Sequence, residues 1–161
     1  MLDESLKRLI NRELGEIHML LERSDDLLKI DPNGEPTFER LAALSLVLIS
    51  FYTGLERIFE RVARHIDHSL PQGERWHTDL LLQIARPTNK RIALISEETR
   101  LSLREYLAFR HHSRHAYAHH LEWPRMKDLV LQISDIWIRV RSEIQRFIEG
   151  QSPLDDTKEG T

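Results

Sequence analysis

The chain has 161 residues, 23 Lys and Arg against 26 Asp and Glu, nine histidines and no cysteine. That length fits one domain with its own core, and the lack of cysteine excludes a disulfide framework or a thiolate metal site and makes a reducing cytoplasm the natural setting. The slight acidic excess excludes a globally basic nucleic-acid binder, so any contact with RNA or DNA has to come from a local patch.

Apolar residues recur with helical period throughout, and no stretch alternates over strand length, so the fold class is all-α. Leu6, Ile10, Leu14, Ile17 and Leu21 stripe a first helix over about residues 3–29. Asp31-Pro32-Asn33-Gly34 ends it, with proline removing a donor and Asn-Gly accepting positive φ. Thr37 caps a second helix that is apolar nearly all round from Leu41 to Tyr52 and striped afterwards at Leu55, Ile58, Phe59, Val62 and Ile66. Its first half is the expected buried centre. The apolar run falls short of the roughly 20 residues a membrane span needs, and the acidic start Met1-Leu2-Asp3-Glu4 is unlike a secretory leader, so a cytoplasmic protein without a membrane partner is expected. Pro71-Gln72-Gly73 marks a turn, Trp76–Ala85 a short helix and Arg86-Pro87-Thr88-Asn89 a break. Ser96, followed by Glu97 and Glu98, caps a fourth helix that runs through Leu101, Tyr106 and Phe109 into FRHHSRHAYAHHLEW, residues 109–123. Pro124 opens a fifth helix, with Val130, Ile133, Trp137, Val140, Ile144 and Phe147 on its core face, and Gly150 closes it. Residues 1–150 then form one domain, an up-and-down bundle of four long helices plus a short one. Residues 151–161, with Asp155, Asp156 and Glu159, read as a disordered acidic tail.

Residues 109–123 hold five histidines and two arginines around Tyr117. Three readings compete for them. They are a solvated basic helix end, favoured by the macrodipole. Alternatively His111, His115 and His119, at i, i+4 and i+8, form a metal stripe, although no carboxylate on the stripe and no HExxH sequence supports it. Or they serve phosphate chemistry on RNA, which needs a cation that stays charged and a group that titrates near neutrality. Arg110 supplies the first and His115 the second. RNA brings its own nucleophile in the 2′-OH, so a histidine base, a histidine or water acid and an arginine suffice without metal or cofactor. Between Arg104 and Lys127 five Lys and Arg face two acidic residues, which makes this segment the local basic patch.

Arg110, His115 and Tyr117 also spell R-x4-H-x-Y, and the whole stretch resembles the motif region of HEPN domains, in particular of HepT-like ribonuclease toxins. SFYTGLERIFERVARHID at 50–67 and LPQGERWHTDLL at 70–81 resemble the same family, and the likeness extends over about residues 3–149. R-x4-H alone arises by chance; the tyrosine and the flanking blocks make the combination specific. His111 stands where many HEPN proteins carry asparagine. The resemblance implies a HEPN-like bundle acting as a homodimer. It implies the toxin of a type VII-like toxin–antitoxin pair, a metal-independent endoribonuclease for RNA, with transfer RNA as substrate class and Arg110 and His115 as catalytic pair. It also implies neutralisation by a minimal (MNT-type) nucleotidyltransferase antitoxin that transfers AMP to Tyr117, whose bulk and negative charge would then block the phosphate site. The alternative is a noncatalytic HEPN-like partner that binds substrate for a nucleotidyltransferase.

Arg114, one turn from Arg110, and His111 are supporting phosphate contacts. Trp76-His77 packs the short helix or borders the RNA groove. Glu56 and Glu60 read as surface or ion-pair residues, although a carboxylate orienting His115 would suit the chemistry. At about 100° per residue Arg110, Arg114 and Tyr117 share a stripe while His115 points roughly 140° from Arg110. Either the helix opens near 111–113, or the motif of a second subunit completes the site.

Overall fold

The computed structural model describes residues 2–150, and the expected acidic tail at 151–161 lies outside them. Six helices follow one another: α1 (Glu4–Arg23), α2 (Asp25–Leu28), α3 (Phe38–Val62), α4 (Trp76–Ile84), α5 (Glu97–Ser113) and α6 (Trp123–Glu149). No strand occurs among the described residues; a single bridge pairs Thr88 with Arg91. The protein is all-α, with four long helices, α1, α3, α5 and α6, and two short ones, α2 and α4, one short helix more than expected.

Capping chemistry sets several boundaries. Thr37 Oγ1 accepts from the Arg40 N–H at 3.3 Å and Ser96 Oγ from the Thr99 N–H at 3.2 Å, each satisfying a first-turn donor. Gly150 ends α6 at φ 70°, a left-handed position where glycine has no Cβ to clash. Two turns depart from expectation. The first helix breaks at Ser24, and the chain restarts as α2 with Asp25 and Asp26 at the favourable positive pole. The turn at 31–34 closes by the Gly34 N–H donating to the Asp31 carbonyl and the Asn33 N–H to the Asp31 carboxylate, both at 2.9 Å, and neither Asn33 nor Gly34 takes positive φ.

Helix α3 packs against every other helix. Its buried residues span both halves: Leu44, Leu48, Phe51 and Tyr52 of the apolar run and Leu55, Ile58, Phe59 and Val62 of the striped half are buried, while Leu46 within the run is 65% exposed. A run that is apolar all round has more greasy surface than neighbours to cover it, whereas the striped half turns one face inward. Phe38–Asp67 is long and apolar enough to cross a membrane by length and composition, which the apolar-run count understated, but half of its most apolar window is buried inside the protein. Phe51 meets Tyr106 and Trp137 edge-on at ring-centroid distances of 5.4 and 6.4 Å, locking α3 to α5 and α6. Tyr106 is buried and donates its hydroxyl to the Leu129 carbonyl at 2.6 Å.

A π-helical turn, Ala63–Asp67, extends α3 and delivers Asp67 to Arg91. Arg91 Nε and Nη2 donate to the two Asp67 oxygens at 2.6 and 2.7 Å, and Arg91 also donates to the carbonyls of Gln83, Arg86 and Ile92. This buried pair pins the connection between α4 and α5, and with it the approach of α5 to α3.

Candidate functional site

Three helices meet around Arg110. α3 contributes Tyr52, Thr53 and Glu56, spaced to share one helical face; α4 contributes His77 from its first turn, and α5 brings Arg110 in its last turn. Arg110 Nη2 donates to Glu56 Oε2 at 2.8 Å and Nη1 to Thr53 Oγ1 at 3.2 Å, and its guanidinium carbon lies 5.0 Å from the centroid of the Tyr52 ring. His77 Nδ1 is 2.8 Å from the same Glu56 oxygen and 3.0 Å from Arg110 Nη2. Helix poles favour the arrangement, with the cation at the negative end of α5 and the carboxylate beside the positive end of α4.

Burial gives these contacts weight. The side chains of Glu56 and Arg110 are only 8% and 14% exposed, so either one would be costly to bury without the other. Burial also pushes the Tyr52 phenol above its usual range; Glu56 adds to the shift and Arg110 opposes it. The Tyr52 hydroxyl is buried without a hydrogen-bond partner. Three acceptors, the Thr53 hydroxyl, the Glu56 carboxylate and the Tyr52 ring, hold the Arg110 fork while its Nε–H keeps no protein partner among the described residues.

Past Arg110 the helix does not continue through the motif. α5 ends at Ser113, Arg114 is its C-cap, Tyr117 is extended, and Ala118–His120 form one 3₁₀ turn. His111, Arg114, His115 and Tyr117 are all exposed, Tyr117 at 71%. The stripe geometry for Tyr117 and His115 therefore does not apply, and of the two alternatives the helix opening is observed, just after 111–113. It also dissolves the proposed metal stripe, because His115 and His119 lie beyond the helix that carries His111. No cluster of three metal-ligating side chains occurs among the described residues. Tyr117 stacks on His119 at 5.4 Å and 19°, with His120 edge-on at 5.8 Å, so the phenol sits in an aromatic hairpin open to solvent.

The structure thus brings Arg110 together with Glu56 and His77. Among the described residues no hydrogen bond joins Arg110 to His115, and Glu56 orients His77 instead of His115. A cleft of about 720 Å³ runs between the end of α5 and the start of α6, past His112, Ala116, His120 and Arg125; Arg110, His115 and Tyr117 do not line it.

Sequence reasoning undervalued Glu56 and missed Tyr52 and Thr53. One signal was present: Glu56 falls on the apolar stripe with Leu55, Ile58 and Phe59, and a carboxylate on a core face needs a cation.

A family profile described as HepT-like protein matches residues 43–151, more than half of the chain and every residue of the Arg110 cluster. The chain belongs to the HepT-like family. Within this HEPN superfamily member, α1 and α2 precede the matched span, so the firm likeness begins in α3 and not at residue 3. Comparisons with curated proteins and with solved structures return no match.

Proposed function

We propose that this HepT-like protein is the toxin of a type VII-like toxin–antitoxin pair and a metal-independent endoribonuclease acting on RNA, with transfer RNA as its substrate class. The observation that supports this most is the Arg110 guanidinium, held by Glu56, Thr53 and Tyr52 immediately before an exposed segment rich in histidine, arginine and tyrosine. A pre-oriented guanidinium stabilises the extra negative charge of a phosphorane without reorganising. His115 exchanges a proton with the RNA, and Arg114 and His111 add exposed contacts for flanking phosphates. The 2′-oxygen attacks the adjacent phosphorus and the 5′-oxygen leaves with a proton, so no metal-bound water is required.

Tyr117 is the acceptor for neutralisation. Its exposed phenol oxygen attacks the α-phosphorus of ATP on a minimal nucleotidyltransferase antitoxin, pyrophosphate leaves, and the phenolic proton passes to a base. The attached AMP then competes for the cationic surface that RNA uses.

The noncatalytic reading draws on the same ion pair, because a mostly buried Arg110 bound to Glu56 would also serve as a strut. Cleavage assays separate the two. Purified protein should cut RNA in the presence of EDTA, and Arg110→Ala and His115→Ala should each lower the rate by about 100-fold or more. A folded wild-type protein that cuts no RNA, or wild-type rates in both variants, would reject the nuclease. With the antitoxin and ATP, adenylate should appear on the Tyr117 peptide and be missing from Tyr117→Phe.

A further inference from the structure

The Glu56–His77 contact has a consequence for proton transfer. A neutral imidazole carries one N–H and one lone pair, and its hydrogen bonds decide which nitrogen holds which. Were Nδ1 of His77 the lone-pair nitrogen, it would face the Glu56 oxygen lone pairs at 2.8 Å, two acceptors in contact within a buried site. With the proton on Nδ1, Glu56 Oε2 accepts from both Nδ1–H and Arg110 Nη2–H at 2.8 Å each; with the proton on Nε2, Nδ1 would accept from Arg110 Nη2–H at 3.0 Å but still oppose the Glu56 oxygen. In the tautomer that donates from Nδ1 to Glu56, the lone pair of His77 is on Nε2. That nitrogen has no protein partner among the described residues, the side chain is 27% exposed, and the Trp76 ring, 3.6 Å away centroid to centroid and tilted by 31°, fixes the plane of the imidazole.

We infer that His77 is the proton acceptor of the site: its Nε2, aimed by Glu56 and seated beside the Arg110 guanidinium, takes the proton from the RNA 2′-OH. This rests on the ribonuclease reading above. The 2′-oxygen then bonds to phosphorus, the P–O5′ bond breaks with its electron pair on O5′, and a second donor, His115, protonates that oxygen. The products are a 2′,3′-cyclic phosphate and a 5′-hydroxyl, with the proton gained by His77 balanced by the proton lost from His115. Two histidines in opposite protonation states meet a requirement that one histidine per site leaves to water. Arg110, bound to the same carboxylate, ties the position of the base to that of the phosphate.

The decisive variant is His77→Asn. Its side-chain amide can donate to Glu56 from about the position of Nδ1 but has nothing in place of Nε2, so it preserves positioning and deletes the base. Single-turnover cleavage of an RNA oligonucleotide and fluorescence anisotropy of its 2′-deoxy analogue would be measured for wild type, His77→Asn, His77→Ala and Arg110→Ala. Both His77 variants should cleave about 100-fold more slowly or worse, while binding the 2′-deoxy analogue within about twofold of wild type. Wild-type cleavage by His77→Asn with loss only in His77→Ala would make His77 a positioning residue and overturn the inference. Wild-type cleavage by both would remove His77 from the chemistry while leaving the nuclease intact. If wild-type protein itself does not cleave, the ribonuclease reading fails and the inference with it.

Discussion

Arg110 and His115 sit five positions apart and differ in what they do for the fold. Removing the Arg110 guanidinium strands the buried Glu56 carboxylate with His77 as its remaining partner, whereas His115 is exposed and makes no hydrogen bond among the described residues. Arg110→Ala should therefore destabilise the protein by about 2–4 kcal/mol and His115→Ala by less than about 0.5 kcal/mol, read as the difference in urea unfolding free energy. Equal stability of the two variants would mean that Glu56 finds other partners. The motif itself was legible from residue types, because fixed charge, titrating imidazole and phenol are properties of single side chains. The partners were not: Glu56 and His77 are 54 and 33 positions from Arg110, and nothing local in the sequence says that α3, α4 and α5 converge there.

Helix α1 lies so close to α3 that a glycine is required at the crossing. A Cβ on Gly54 would stand 2.7 Å from Ile17 Cγ1, a stiff, buried branch that cannot swing aside. Gly54→Ala should lower stability by about 1–3 kcal/mol, even though alanine favours a helix interior by about 1 kcal/mol. Exposed Gly15 of α1 has nothing within 4 Å of its would-be Cβ, so Gly15→Ala should raise stability by about 0.5–1 kcal/mol. Opposite signs in thermal melts would confirm the close crossing, and stabilisation by both would refute it. The Asp67–Arg91 pair makes a pH-dependent contribution. Burial pushes the Asp67 carboxyl up, but hydrogen bonds from Arg91 and Gln83, with the nearby Arg91 charge, more than offset it and leave it below its usual range. A depressed carboxylate stabilises fully above its unfolded value of about 3.9 and loses that contribution as pH falls through the folded value. Asp67→Asn should thus cost about 3 kcal/mol near pH 7, and the gap to wild type should narrow below about pH 4. Periodicity and caps identified the long helices, but not the break at Ser24, the π turn that delivers Asp67, or the end of α5 at Ser113. Each depends on contacts and backbone choices that apolar spacing does not encode.

At the scale of the molecule, family membership accounts for the bundle from α3 onward, and the Arg110 cluster is assembled within one chain. We propose that the protein works as a homodimer with the two exposed motif segments facing a shared groove, an isologous arrangement. Because Arg110, Glu56 and His77 come together in a single subunit, subunits carrying His115→Ala mixed with subunits carrying Arg110→Ala should recover cleavage only if His115 reaches the site of the partner. Recovery after proven subunit exchange would place the proton donor across the interface, and no recovery would keep each site within its own chain. On the proposed function, this bundle cleaves RNA through the RNA's own 2′-OH. The most direct measurement is the chemistry of the ends produced by purified protein in chelator. The expected products carry 2′,3′-cyclic phosphate and 5′-hydroxyl ends, formed in EDTA and absent when the nucleotide at the cut is 2′-deoxy. Ends bearing 5′-phosphate and 3′-hydroxyl, or cleavage that requires a divalent metal, would contradict the proposed function.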